Sequence, residues 1–198
     1  MTTLYLVRHG RPASGYGDSL DPGLDETGLA QARRTARELA SLPHPLPVYS
    51  SPLRRCRETG LPLAELWGVQ PIIFPEVGEV PSPPLSLEQR QEWLRAAMKS
   101  DWAFMQSSAP ADAPDYGLWR TTLLDALRAM SGDVVIFSHF IAINAVIGAA
   151  LGNEQVINFR PDHASITTVE VASGNFLITA LGQETAGTGS VMLGRSTG

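Results

Sequence analysis

The stretch "LYLVRHGRP", residues 4–12, sets the reading of the whole chain. Leu4, Tyr5, Leu6 and Val7 all favour strands, and no polar residue alternates between them. A continuous run of this kind, placed as a strand over residues 3–7, suits a sheet covered on both faces. It then delivers Arg8 and His9 to one point and breaks at Gly10. The stretch "GDVVIFSH", residues 132–139, repeats the arrangement of turn, apolar strand and terminal histidine.

Helical and strand patterns alternate between and around these two stretches. Leu29, Ala32, Ala36, Leu39 and Ala40 recur at helical spacing, predicting a helix over 27–42 with Thr27 as N-cap and Pro43 as its stop. "PVYSS" (47–51) reads as a second strand that opens into a helix starting at "PLRRCRET", with Pro52 in the first turn. "QPIIF" (70–74) reads as a third strand, and the four prolines of "PEVGEVPSPP" (75–84) predict an irregular loop. Ser86 and Gln89 form a capping box for a helix to about Lys99, and further helices are expected at 118–130 and 141–151. "SITTVEV" (165–171) and "NFLITAL" (175–181) alternate as two late strands joined by "ASGN". Strands interleaved with helices predict a three-layer α/β/α sandwich with a mostly parallel central sheet. In such sheets ligands bind beyond the carboxyl ends of strands, which is where Arg8, His9, Arg54, Arg55 and His139 fall.

Composition narrows the function classes. A chain of 198 residues, 43% apolar, is sized for one domain. We expect a single unit over 1–182 with a helical cap insertion at about 81–119, followed by a flexible tail over 183–198 poor in bulky residues. A net charge of -5 argues against nucleic-acid and anionic-membrane partners, so recognition of an anion must be local. The single cysteine, Cys56, excludes an internal disulfide. With no charged segment leading into a long apolar run near residue 1, the expected location is the cytoplasm. Nothing in the pattern indicates an oligomeric state, although an exposed strand near 165–181 could pair.

Taken together, "LVRHG" (6–10), "LDETGLAQA" (24–32), "SSPLRRCRET" (50–59) and "VVIFSH" (134–139) resemble, in that order, the histidine phosphatase superfamily, which includes phosphoglycerate mutase-like enzymes and many phosphatases. The resemblance implies that His9 is the nucleophile that becomes phosphohistidine and that Arg8, Arg55 and His139 bind the phosphoryl group. It implies a general acid in the loop after the third strand; Glu79 matches the register, with Glu76 as the alternative. Chemically the set is coherent. A neutral imidazole can attack phosphorus and split one displacement into two. Neighbouring cations, including His139 if protonated, would hold His9 unprotonated and stabilise the equatorial oxygens, and the helix after His139 would add its N-terminal dipole. The arginines take the role magnesium has elsewhere, so no metal and no cofactor is expected.

The chain also departs from the family pattern. The residues after "RHG" are "RPASG", where Arg11 could meet a second anionic group of the substrate. Phe140 stands where a glycine usually follows the second histidine and would narrow the pocket or give it an apolar wall. Trp93, Trp102, Phe104 and Trp119 either line a pocket beneath the cap or pack its helices together. The short chain favours a phosphomonoesterase acting on a small phosphorylated metabolite. A mutase-like phosphotransferase, a phosphohistidine phosphatase acting on proteins and a non-catalytic phospholigand-binding module are the alternatives.

Overall fold

Residues 1–14 and 21–185 are described by the structure, a computed structural model. The opening strand, β1 (Thr2–Arg8), lies inside a six-stranded sheet, with the strand of the second histidine, β4 (Val134–Ser138), parallel to it. Leu4 pairs with Val134 and Arg8 with Ser138. Next to β4 come β2 (Val48–Ser50) and β3 (Ile72–Ile73), both parallel. On the other side of β1 come β5 (Ile166–Ala172) and β6 (Asn175–Ala180), both antiparallel to their neighbours. The order is β3-β2-β4-β1-β5-β6, so four strands are mutually parallel. The mostly parallel sheet expected from the sequence is present.

Alternate residues of the central strands serve opposite layers, as the two-residue pleat requires. Val7, Val135 and Phe137 pack with Ala36 and Leu39 of α1 (Glu26–Leu39) and with Cys56 and Leu63 of α2 (Arg54–Trp67). Leu4, Leu6, Val134 and Ile136 face the other way, toward α5 (Tyr116–Arg128) and α6 (Phe140–Leu151). Being apolar on both faces, β1 and β4 are continuous hydrophobic runs rather than alternating ones. Each fully buried Leu, Ile or Phe contributes about 1.5–3 kcal/mol by leaving water.

Several boundaries differ from the sequence reading for local reasons. Asp25, not Thr27, caps α1, its carboxylate accepting from the Gly28 N–H at 2.7 Å. Pro52 lies outside α2, whose N-cap is Leu53. The proline-rich loop begins with a 3₁₀ turn, Pro75–Val77, compatible with proline at its start. The Ser86–Gln89 capping box is formed in both directions and opens α3 (Leu87–Ala97). The stretch before α5 hides an additional short helix, α4 (Trp102–Ser107), capped by Asp101. Ser173 and Gly174 both take positive φ, the conformation that a two-residue turn between β5 and β6 demands.

The region around α3 and α4 packs into the main core. Trp93 stacks on Tyr116 and Trp102 meets Trp119, with centroid distances of 5.4 and 5.9 Å. Trp93 and Trp102 join Val77, Met105 and Leu123 in the same cluster as the sheet residues, while Phe104 is exposed. The aromatics hold the helices together. Of the expected tail, residues 186–198 lie outside the described part, as do 15–20 of the first loop. Residues 183–185 do not hang free: Gln183 O accepts from Asp162 N, and Thr185 N donates to Arg160 O. No helix among the described residues is long and apolar enough to cross a membrane.

Candidate active site

The parallel pairing of β1 with β4 puts Arg8 and His9 beside His139 at the carboxyl ends of these strands, and β2 leads to Arg55 at the start of α2. The rings of His9 and His139 stand 5.3 Å apart, edge to face. His9 is almost fully buried. Its Nδ1 lies 2.8 Å from the Gly10 carbonyl oxygen, which can only accept, so Nδ1 carries the ring proton. That leaves Nε2 with a free lone pair. Burial, followed by the charges of Arg55 and Arg8, holds the imidazole pKa well below 6.5 despite the opposing Gly10 bond. Desolvation is thus the main cause of a neutral His9, with like-charge repulsion adding to it.

His139 is fully buried and neutral for related reasons: burial first, then His9, Arg55 and Arg8, all push its pKa far down. The Arg55 guanidinium donates to its Nδ1 at 3.2 Å, and its Nε2–H donates to Ser51 Oγ at 2.8 Å. His139 therefore accepts from Arg55 and supplies no standing positive charge, so of the cations considered around His9 the guanidiniums remain. Cys56 packs behind it, with Sγ 3.3 Å from the Ser138 carbonyl oxygen and from His139 Nε2. Burial raises the Cys56 thiol further from ionisation, so it acts as packing and not as a nucleophile.

Arg8 is held on three sides. It donates to the Pro161 carbonyl at 2.8 Å and to His163 Nε2 at 3.0 Å, and its guanidinium carbon lies 4.9 Å from the Phe140 ring centroid. Burial lowers its pKa to about 10, which leaves it cationic at neutral pH. Phe140 is thus a platform for Arg8. Arg11, in contrast, is engaged: it donates to Asp25 Oδ2 at 2.5 Å and to Thr27 Oγ1 at 2.8 Å, tying the loop to α1.

Glu79 reaches the same centre from the loop after β3. Its carboxylate accepts from the Ile141 and Ala142 N–H groups at 3.2 Å and from its neighbour Val80 at 3.1 Å. The N–H groups of α6 expected to face a phosphate are thus partly taken by a carboxylate. Burial raises the Glu79 pKa, opposed by these N–H bonds and by Arg55. Glu76 sits in the 3₁₀ turn, and its buried Oε2 has no hydrogen-bond partner among the described residues.

Three residues that support this arrangement were not assigned a role from sequence. Thr59 Oγ1 accepts from Gly10 N–H at 2.9 Å and donates to the Arg55 carbonyl, linking the "RHG" turn to α2. Ser51, inside the quoted motif, fixes His139. His163 lies 5.9 Å from His9, ring to ring. Because β5 runs antiparallel to β1, the segment entering it lands where β1 ends. Strand direction could not be read from the alternation of 165–171, so His163 gave no signal.

Two neutral imidazoles, two guanidiniums and one raised-pKa carboxyl thus gather beyond the carboxyl ends of the parallel strands. The chain belongs to the histidine phosphatase superfamily (branch 1), whose sequence model matches residues 4–184. It is 29% identical over 189 residues to phosphoserine phosphatase 1 of Hydrogenobacter thermophilus, covering 86% of this chain and 87% of that one. A stretch of 85 residues is 36% identical to a metal-independent phosphoserine phosphatase of Arabidopsis thaliana, covering 41% and 34% of the two chains. The fold matches a mycobacterial glucosyl-3-phosphoglycerate phosphatase in complex with inorganic phosphate, with a TM-score of 0.72, 23% identity and coverage of 92% and 97%. It also matches a mutant phosphoserine phosphatase of Entamoeba histolytica in complex with phosphoserine, with a TM-score of 0.69, 21% identity and coverage of 91% and 96%.

Proposed function

We propose that this protein is a phosphomonoesterase that hydrolyses a small phosphorylated metabolite through a phosphohistidine on His9. The observation that carries the reading is the free Nε2 of a buried, neutral His9 set among Arg8, Arg55 and His139. Arg8 and Arg55 bind the phosphoryl oxygens as charge-assisted donors. The Nε2 lone pair attacks phosphorus, the P–O bond to the leaving group breaks, and the proton that leaving oxygen needs comes from the Glu79 carboxyl. Water then attacks phosphorus, Glu79 recovers its proton from that water, and the P–N bond breaks to restore His9. His139 holds the Arg55 guanidinium through its Nδ1 and so steadies a donor of the phosphoryl group.

The positive charge that the reaction needs is supplied by guanidiniums, which supports a mechanism without metal or other cofactor. Phosphoserine is the first substrate to try, because the Hydrogenobacter relative named for it matches 86% of the chain. We further infer one catalytic domain in which residues 81–119 are a helical elaboration, since Trp93 and Met105 share a core with Leu4 and Ile136. A cytoplasmic location is consistent with the single, buried, unpaired thiol of Cys56.

The test is hydrolysis of p-nitrophenyl phosphate and phosphoserine with and without EDTA. We expect turnover that EDTA leaves intact and that His9→Ala abolishes. An inactive wild type between pH 5 and 8 on these and on a panel of phosphorylated metabolites sinks the phosphatase reading; loss of activity in EDTA sinks the metal-free mechanism.

A further inference from the structure

We propose that His163 is a positioning residue for phosphoryl recognition, fixing the guanidinium of Arg8 through its neutral Nε2; this rests on the phosphatase reading above. A guanidinium has no lone pair, so the 3.0 Å contact requires Nε2 to accept and Nδ1 to carry the ring proton. Burial, then the charge of Arg8, lowers the pKa of His163 to about 4, so the ring remains an acceptor through the neutral range.

Arg8 has a long flexible side chain, and its orientation decides which of its donors meet a phosphoryl oxygen. The Pro161 carbonyl takes one N–H of one terminal nitrogen, His163 takes one N–H of the other, and Phe140 supports the plane from its face. These contacts leave one N–H on each terminal nitrogen for a ligand. With Pro161 alone, the group could pivot about that one bond. His163 supplies the second point that fixes rotation in the plane.

The backbone that aims His163 is itself strongly constrained. Ala164 adopts φ 58°, an uncommon conformation for a residue with a Cβ. It is held there by its N–H donating to the Arg8 and His9 carbonyls at 3.0 and 3.3 Å and by the Thr35 hydroxyl donating to its own carbonyl at 2.6 Å. Asp162 Oδ1 accepts from the His163 N–H at 2.8 Å. Strain sustained by so many bonds is of the sort that persists where side-chain placement matters. The same strand ends that carry Arg8 and His9 therefore fix the residue that orients Arg8.

The experiment compares His163→Leu, which removes the acceptor, with His163→Gln, whose Oε1 reaches toward the position of Nε2. The readouts are KM and kcat on p-nitrophenyl phosphate and the inhibition constant of inorganic phosphate. Losing a hydrogen bond to a charged group should raise KM and the phosphate inhibition constant about tenfold or more in His163→Leu. The change in kcat should be smaller, and His163→Gln should recover most of the loss. In an Arg8→Ala background the leucine substitution should add little to the fall in kcat/KM, because its effect passes through Arg8. Should His163→Leu fail to fold, His163→Met removes the same acceptor and replaces it. An active wild type with unchanged phosphate affinity in the apolar variant overturns the proposal, as does an equal penalty with and without Arg8. A wild type without phosphatase activity is the separate failure, that of the underlying reading.

Discussion

Two glutamates three positions apart meet different surroundings in the loop after β3. Glu79 is anchored on the first N–H groups of α6 and feels the charge of Arg55, whereas Glu76 Oε2 has no hydrogen-bond partner among the described residues. Burial raising the Glu79 pKa keeps a proton on the carboxyl further toward neutrality, as an acid must. We expect Glu79→Gln to lower kcat by about 10²–10⁴-fold on an alkyl phosphate, the usual contribution of a general acid. The same variant should lose far less on p-nitrophenyl phosphate, whose leaving group needs little protonation. Glu76→Gln should stay near wild type on both. The opposite ranking, measured by steady-state kinetics, transfers the acid role to Glu76.

At the scale of elements, the site depends on how closely the "RHG" turn, α1 and α2 approach. A Cβ on Gly28 would overlap the Arg11 carbonyl oxygen, and one on Gly10 would lie 2.8 Å from the Gly28 carbonyl oxygen. The glycines of two separate motifs are thus required by one contact between them. We expect Gly28→Ala to destabilise the fold by about 1–3 kcal/mol, the range for forced overpacking, and to lower turnover by displacing His9. Thr59→Val, which leaves the Gly10 N–H without its acceptor, should cost about 1–3 kcal/mol. Thermal melts and kcat on the same preparations check both. Helix existence was legible because apolar spacing survives without knowledge of neighbours. Boundaries were less so: Asp25 and Thr27 are both competent N-caps, and only the placement of Gly28 against Arg11 selects Asp25.

For the whole molecule, the cluster of neutral imidazoles couples folding to pH. His9, His139 and His163 all bind a proton less readily when folded than at the ordinary value of 6.5. Below that pH the unfolded chain binds more protons, so stability falls as pH is lowered from 6.5; the His163 part is complete near pH 4. Glu79 acts in the opposite sense. Its raised pKa contributes stability below 4.5 that is lost as pH rises through the folded value. With three groups against one, we expect the melting temperature to drop between pH 7 and 5, and Glu79→Gln to remove the opposing part. Inorganic phosphate should raise the melting temperature at pH 7, because an anion bound to the folded state alone stabilises it. A melting temperature that is flat from pH 7 to 5 would contradict neutral burial of these histidines.

By itself, the sequence determined the layered α/β architecture and the strand ends near which Arg8, His9, Arg55 and His139 fall, because apolar runs and turn residues are local properties of the chain. Tertiary structure decided what those residues do to one another. It showed that His139 accepts from Arg55, that Arg11 is tied to Asp25 and that Phe140 supports Arg8. It also brought in His163, from a segment that only the antiparallel direction of β5 delivers to the end of β1. The physical reason is that hydrogen-bond roles and pKa values depend on burial and on partners over a hundred residues away, and neither is encoded in local spacing.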